Sequence, residues 1–169
     1  MNFTELVDAS ANNTLSTIKV PSREEILRLQ NEMAKLPQVE VDTEHYFNGG
    51  MYCRKVFRRA GTLIVGKIHK SDHFFMCTSG EIIAWSEKGM ITLKAGDVIE
   101  SKAGTKRVTL AVKDSIGITV HKTDKTDLDE IEAELIEFEE GCMYDSDNKI
   151  KQQLISHAAA APTITIQEV

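Results

Sequence analysis

Two short segments of this 169-residue chain concentrate side chains able to do chemistry. Residues 61–73, GTLIVGKIHKSDH, carry His69, Lys70 and His73 and run on to Cys77; residues 96–107, GDVIESKAGTKR, end in Lys106 and Arg107. Imidazole does two different jobs in such a setting. As a neutral ring it ligates transition metals, and His69 and His73 with a third donor from Cys77 or His121 would make a small metal site. Beside guanidinium and ammonium groups it donates to an anion, and His69, Lys70, His73, Lys106 and Arg107 would then line a basic pocket in an otherwise acidic protein. Arg107 fits only the second arrangement, because guanidinium has no free lone pair and its charge repels a cation.

These residues need a frame. From Val39 to His121, short runs rich in Val, Ile, Thr and Phe alternate with Gly, Asp, Ser and Lys. The pattern predicts strands near 51–58, 61–68, 73–78, 81–86, 90–94, 97–101, 107–112 and 116–121. So many short strands would leave exposed edges in a flat sheet, and a jelly roll or closed sandwich is the economical solution. Because facing alternates with period two, Cys77 shares a face with His73. A three-residue turn at Lys113–Ser115 would set Val112 against Ile116, Leu110 against Ile118 and Val108 against Val120. Arg107 would then stand opposite His121, which brings His121 into the candidate site by register.

Helices flank this β-region. Ser22 and Glu25 have the spacing of a capping box, Ile26, Leu29, Met33 and Leu36 form an apolar stripe, and Pro37 ends the run. Asp127 to Glu137 predicts an acidic amphipathic helix whose Leu128, Ile131, Leu135 and Ile136 pack on the barrel or on a partner subunit. The expected organisation is a flexible arm over 1–20, a helix within 21–38, a barrel over 39–122, a helix within 123–140 and a weakly ordered tail over 141–169, where Thr163 to Ile166 could add an edge strand.

Composition narrows the function. A chain of this length with 41% hydrophobic residues makes one core and one domain. A net charge of −6 and a pI near 5.4 argue against nucleic acid and membrane surfaces as partners. Cys53, Cys77 and Cys142 are widely spaced and predict free thiols in a reducing, cytoplasmic setting, and the N-terminus lacks the basic-then-apolar pattern of a signal peptide. No phosphate loop, dinucleotide glycine fingerprint, GxSxG or HExxH occurs. His45 and His157 are expected to be surface or core residues, and Lys102 a solvated loop charge.

The two segments resemble the two motif regions of the cupin superfamily. In the second, Gly96 and Gly104 match, Lys102 replaces the proline and Arg107 replaces the histidine; in the first, His69 and His73 stand four apart and Cys77 takes the place of the glutamate. The resemblance, which also extends to uncharacterised cupin-like proteins of bacteriophages and prophages, implies a mainly β, cupin-type jelly-roll barrel. It leaves open whether any reaction is catalysed. The preferred expectation is capture of a small anionic, phosphate- or carboxylate-bearing molecule by a homo-oligomer, using His69, Lys70, His73, Lys106, Arg107 and His121 and no cofactor, in the host cytoplasm if the chain is phage-encoded. The alternatives are a metal-dependent isomerase or oxygenase, with a divalent transition metal on His69, His73 and Cys77 or His121, and a structural module of a virion.

Overall fold

The computed structural model describes residues 20–151, and the expectations for the N-terminal arm, His157 and the strand at 163–166 fall outside them. In chain order the elements are α1 (Arg23–Met33), β1 (Thr43–Asn48), β2 (Met51–Arg58), β3 (Leu63–Val65), β4 (His73–Ser79), β5 (Glu81–Ser86), β6 (Gly89–Lys94), β7 (Val98–Ser101), β8 (Arg107–Ala111), β9 (Ser115–Lys122) and α2 (Leu128–Leu135). The strands form two sheets, one ordered β1-β2-β9-β4-β7 and the other β3-β8-β5-β6, with every pairing antiparallel. Setting aside β1, the eight strands from β2 to β9 pass repeatedly from one sheet to the other in the order of a double Greek key, which makes the fold a jelly roll. Among the described residues no helix is long and apolar enough to cross a membrane.

This order corrects the predicted β8–β9 hairpin. The turn at Lys113–Ser115 carries the chain between sheets, so β8 pairs with β3 and β5 while β9 pairs with β2 and β4. The β1 strand, absent from the sequence expectation, is polar (TEHYFN) and is folded back on β2 by a Gly49–Gly50 turn with positive φ at both glycines. At Gly80, between β4 and β5, φ is +75° and a Cβ would stand 2.1 Å from the Asp114 carbonyl oxygen, so only glycine closes that turn.

Side chains alternate, and one set points between the sheets. Phe75 and Cys77 from β4 meet Ile82 from β5 and Leu93 from β6, with Ile99 of β7 packed against them. This is the apolar end of the barrel. Ser22 caps α1 through the expected box, and Ile26 is its one fully buried residue; the helix stops at Met33, short of Pro37. Asp127 caps α2 by accepting from the amides of Asp129 and Glu130, and α2 buries Ile131 and Leu135 against Tyr52 of β2. The helix therefore packs on its own barrel. Residues 141–151, expected to be loose, are fastened: Tyr144 donates to the Val39 carbonyl and Lys151 N–H to the Met143 carbonyl.

Candidate metal centre

Register puts histidines together. β4 and β9 pair through Phe74 and Val120, so the next rung places His73 beside His121. His121 also pairs across to Tyr52, whose ring stacks on it at 6.0 Å between centroids. His69 arrives from the segment before β4, its carbonyl accepting from Gly104 N–H and its backbone bridged to Ile136 at the end of α2. The three rings lie 4.0, 4.6 and 4.9 Å apart between centroids, and one ligand atom from each falls within 4.8 Å of the others.

That spacing nearly fits an ion. In a tetrahedral set with metal–nitrogen bonds of about 2.1 Å the imidazole nitrogens stand about 3.4 Å apart, so the rings must close by up to about 1.4 Å. His73 Nδ1 lies 3.3 Å from the Ser71 carbonyl; donating there leaves Nε2 unprotonated and able to ligate. The Nδ1 of His121 is buried and has no hydrogen-bond partner. An unpaired buried polar atom costs about 1–3 kcal/mol, and here the cost falls inside a group of three ligating side chains.

The rings are neutral. Burial, with the neighbouring imidazoles adding to it, lowers His69 to about 2 and His121 to about 3, and burial lowers His73 as well. Arg54 and Arg107 push in the same direction on His69 and His73. Neutral imidazole is the ligating form. Among the described residues no carboxylate joins the cluster, so three protein donors would leave coordination positions open to another molecule.

The α2 helix covers the cluster. Leu128, Ile131, Leu135 and Glu132 share with Tyr52, Arg54, His69 and His121 a cavity of about 20 Å³, room for about one water. Glu132 is the acid in that lining, and Lys67 engages both its oxygens at 2.8 and 2.7 Å.

The residues expected to share a site therefore separate. His69, His73 and His121 come together, with Arg107 on the same inward face, pairing with Ser86 and donating at 3.0 Å to Oγ of Ser101, the cross-strand partner of His73. Arg107 and His121 meet in the interior from opposite sheets, not as hairpin neighbours. Lys70 is corrected: its ammonium donates to the Ala133 carbonyl at 2.7 Å, and its amide to Leu135, where it caps α2. Lys106 is corrected too: it is fully buried on the other face of β8 and pairs with Glu139 at 2.6 Å. Cys77 faces the same way as His73, as period two requires, but four residues of strand are about 13 Å, and its thiol lies in the apolar end near the Ser79 carbonyl. Of the two candidate third donors, His121 joins the pair and Cys77 does not. Arg54, Arg58 and Tyr52 were missed, although Tyr52, Arg54, Val56 and Arg58 show the period-two signal of one strand face. His45 is not idle either: its Nδ1 lies 2.7 Å from the Tyr52 hydroxyl and its Nε2 2.9 Å from Asp147, which fixes the Tyr52 ring.

No known family profile and no curated protein matches the sequence. Solved structures do. The barrel is similar to those of cupin superfamily proteins. One from Desulfitobacterium hafniense is 14% identical, with a TM-score of 0.46, over 54% of this chain and 88% of that one. KdgF from Halomonas sp. is 17% identical, with a TM-score of 0.46, over 54% and 87%. A cupin-2 domain protein from Shewanella frigidimarina is 13% identical, with a TM-score of 0.43, over 56% and 91%. At these values the likeness bears on no ligand or reaction.

Proposed function

We propose that this jelly roll binds a divalent transition metal on His69, His73 and His121 and presents it to a small anionic molecule. The observation that carries the reading is the convergence of three neutral imidazoles, His73 and His121 buried and His69 half-buried, without an acid among them and with one orphan ring nitrogen. Imidazole sets of this kind suit zinc, iron, nickel or copper. When bound, such an ion supplies Lewis acidity toward an oxygen ligand. The chain's own residues do the rest: Arg107 and Arg54 place positive charge beside the open side of the cluster, Tyr52 holds the His121 ring, and α2 limits water. Isomerase and oxygenase chemistry are the two classes this arrangement would serve. Capture of an anion by the basic side chains alone is the weaker reading, since Lys70 and Lys106 are engaged elsewhere. The resemblance to phage and prophage proteins rests on the sequence motifs alone and names no reaction. Elemental analysis of the purified protein tests the proposal: one transition metal per chain is expected, and its loss in His73→Ala.

A second copy of the chain belongs to the same proposal. The outer face of the five-stranded sheet carries a row formed by Tyr46, Cys53, Val120 and Phe74, and below it Ile118, Met76 and Val98. Phe74 and Val98 are half exposed, at 50% and 54%. A contiguous apolar face of this kind favours self-association. Sizing of Met76→Glu against the parent is expected to show a smaller species; an unchanged size contradicts the oligomer. A reducing, cytoplasmic setting is also kept, supported by three cysteines that stand unbonded.

A further inference from the structure

A second cavity, of about 320 Å³, opens between β2, β3, the C-terminal end of α1 and residues 139–144. Arg54 lines both this cavity and the small one beside His69 and His121. Two residues on from Val56, Arg58 points into it as well. The Arg58 guanidinium has an odd set of partners. Nη1 donates to Thr109 Oγ1 at 2.9 Å, its face lies 5.6 Å from the centre of the Phe75 ring, and Nε is shut off from solvent with no partner at all. The residue as a whole keeps some accessible surface, so the unpaired nitrogen is the part that is sealed.

The positive charge is also unbalanced. Among the described residues neither Arg54 nor Arg58 has an ion pair. The other charged groups in the lining do not supply one: Lys106 holds Glu139, Glu132 holds Lys67, and Glu140 is exposed at the rim. Burial lowers Arg58 to about 10 and the nearby Arg54 adds to it, yet the group stays cationic at neutral pH. A buried unpaired charge is unfavourable, and two like charges facing one space make it more so.

We propose that this cavity takes a small organic acid, with its carboxylate on Arg54 and Arg58 and its hydrocarbon body along Met33, Leu36, Val56 and β3. A planar carboxylate is satisfied by one or two guanidinium forks. Val56, Leu63, Ile64 and Val65 offer no side-chain donor to the spare oxygens of a phosphate, and they form an apolar wall for a short chain. The inference deepens the proposed function by naming the ligand class, and rests on it only for the neighbouring ion.

The test uses the full chain stripped of metal, titrated by calorimetry with linear saturated monocarboxylates from acetate to decanoate, the matching primary alcohols, and inorganic phosphate. Carboxylate affinity is expected to rise with chain length and then stop rising as the cavity fills, with each alcohol about tenfold or more weaker than its acid. Arg58→Met and Arg54→Met should each weaken the acids by about tenfold or more and leave the alcohols alone. Where Arg58→Met does not fold, Arg54→Met and the acid–alcohol comparison in the parent decide. His121→Ala is expected to lose metal and keep acid binding, which separates failure of this inference from failure of the metal reading. Equal binding of acids and alcohols, tighter binding of phosphate than of any carboxylate, no binding at all, or full affinity in both arginine variants would overturn it. Loss of acid binding in a folded His121→Ala protein would overturn the placement.

Discussion

The two ends of the barrel interior are built from the same strands and hold opposite chemistry. On β4, Phe75 and Cys77 belong to the apolar end and His73 to the polar one; on β5, Ile82 lies at the first and Ser86 at the second; on β7, Ile99 and then Ser101. Inward positions at the first end touch one another, as a core must. Those at the second end are equally buried, with His73 at 7% and His121 at 4% exposure, but leave a ring nitrogen without a partner. That nitrogen sits among three side chains able to ligate a metal, which marks this end as shaped for something other than stability.

Substitutions at the two ends should therefore differ in kind. The largest loss is expected at the seam that holds the C-terminal segment over the polar end. Lys106→Ala leaves the largely buried Glu139 without its counter-charge and with only the 3.4 Å contact from Gln30 Nε2, and denaturant unfolding should show a loss of about 3–5 kcal/mol. Next is the apolar end, where Leu93→Ala should cost about 2–5 kcal/mol by the same measurement while the folded fraction keeps its metal. At the polar end the sign reverses. His121→Phe removes the orphan nitrogen and should stabilise the metal-free protein by roughly 1 kcal/mol while abolishing metal binding. Cys77→Ala is the smallest change: about 1 kcal/mol of stability lost and metal affinity untouched, as checked by unfolding and by metal titration. Metal loss in that variant would erase the division between the ends.

The sequence carried the frame further than the site. Eight of the nine strands were legible because β-branched runs and turn residues alternate along 51–121, and both helices were legible from caps and apolar spacing. β1 was not, because TEHYFN has little β-branched character and its pairing depends on the Gly49–Gly50 turn. His69 and His73 stood out by local spacing. His121 was included through a hairpin that does not form, and it reaches the cluster because β9 pairs with β4 in the other sheet. Lys70 and Lys106 were misplaced because a cation near a motif looks the same in sequence whether it faces a pocket or fastens a helix; only the fold shows that Lys106 alternates away from Arg107. Arg54 and Arg58 show how strand period becomes informative once one neighbour, Tyr52, is known to face inward.

The most direct test of the central claim is a cobalt(II) titration of the metal-free protein followed by visible absorption, run on the parent and on His69→Ala, His73→Ala and His121→Ala. A three-histidine centre gives a ligand-field band that saturates at one ion per chain in the parent and is absent in all three variants. No band in the parent, or an undiminished band in any folded variant, would contradict a three-histidine centre.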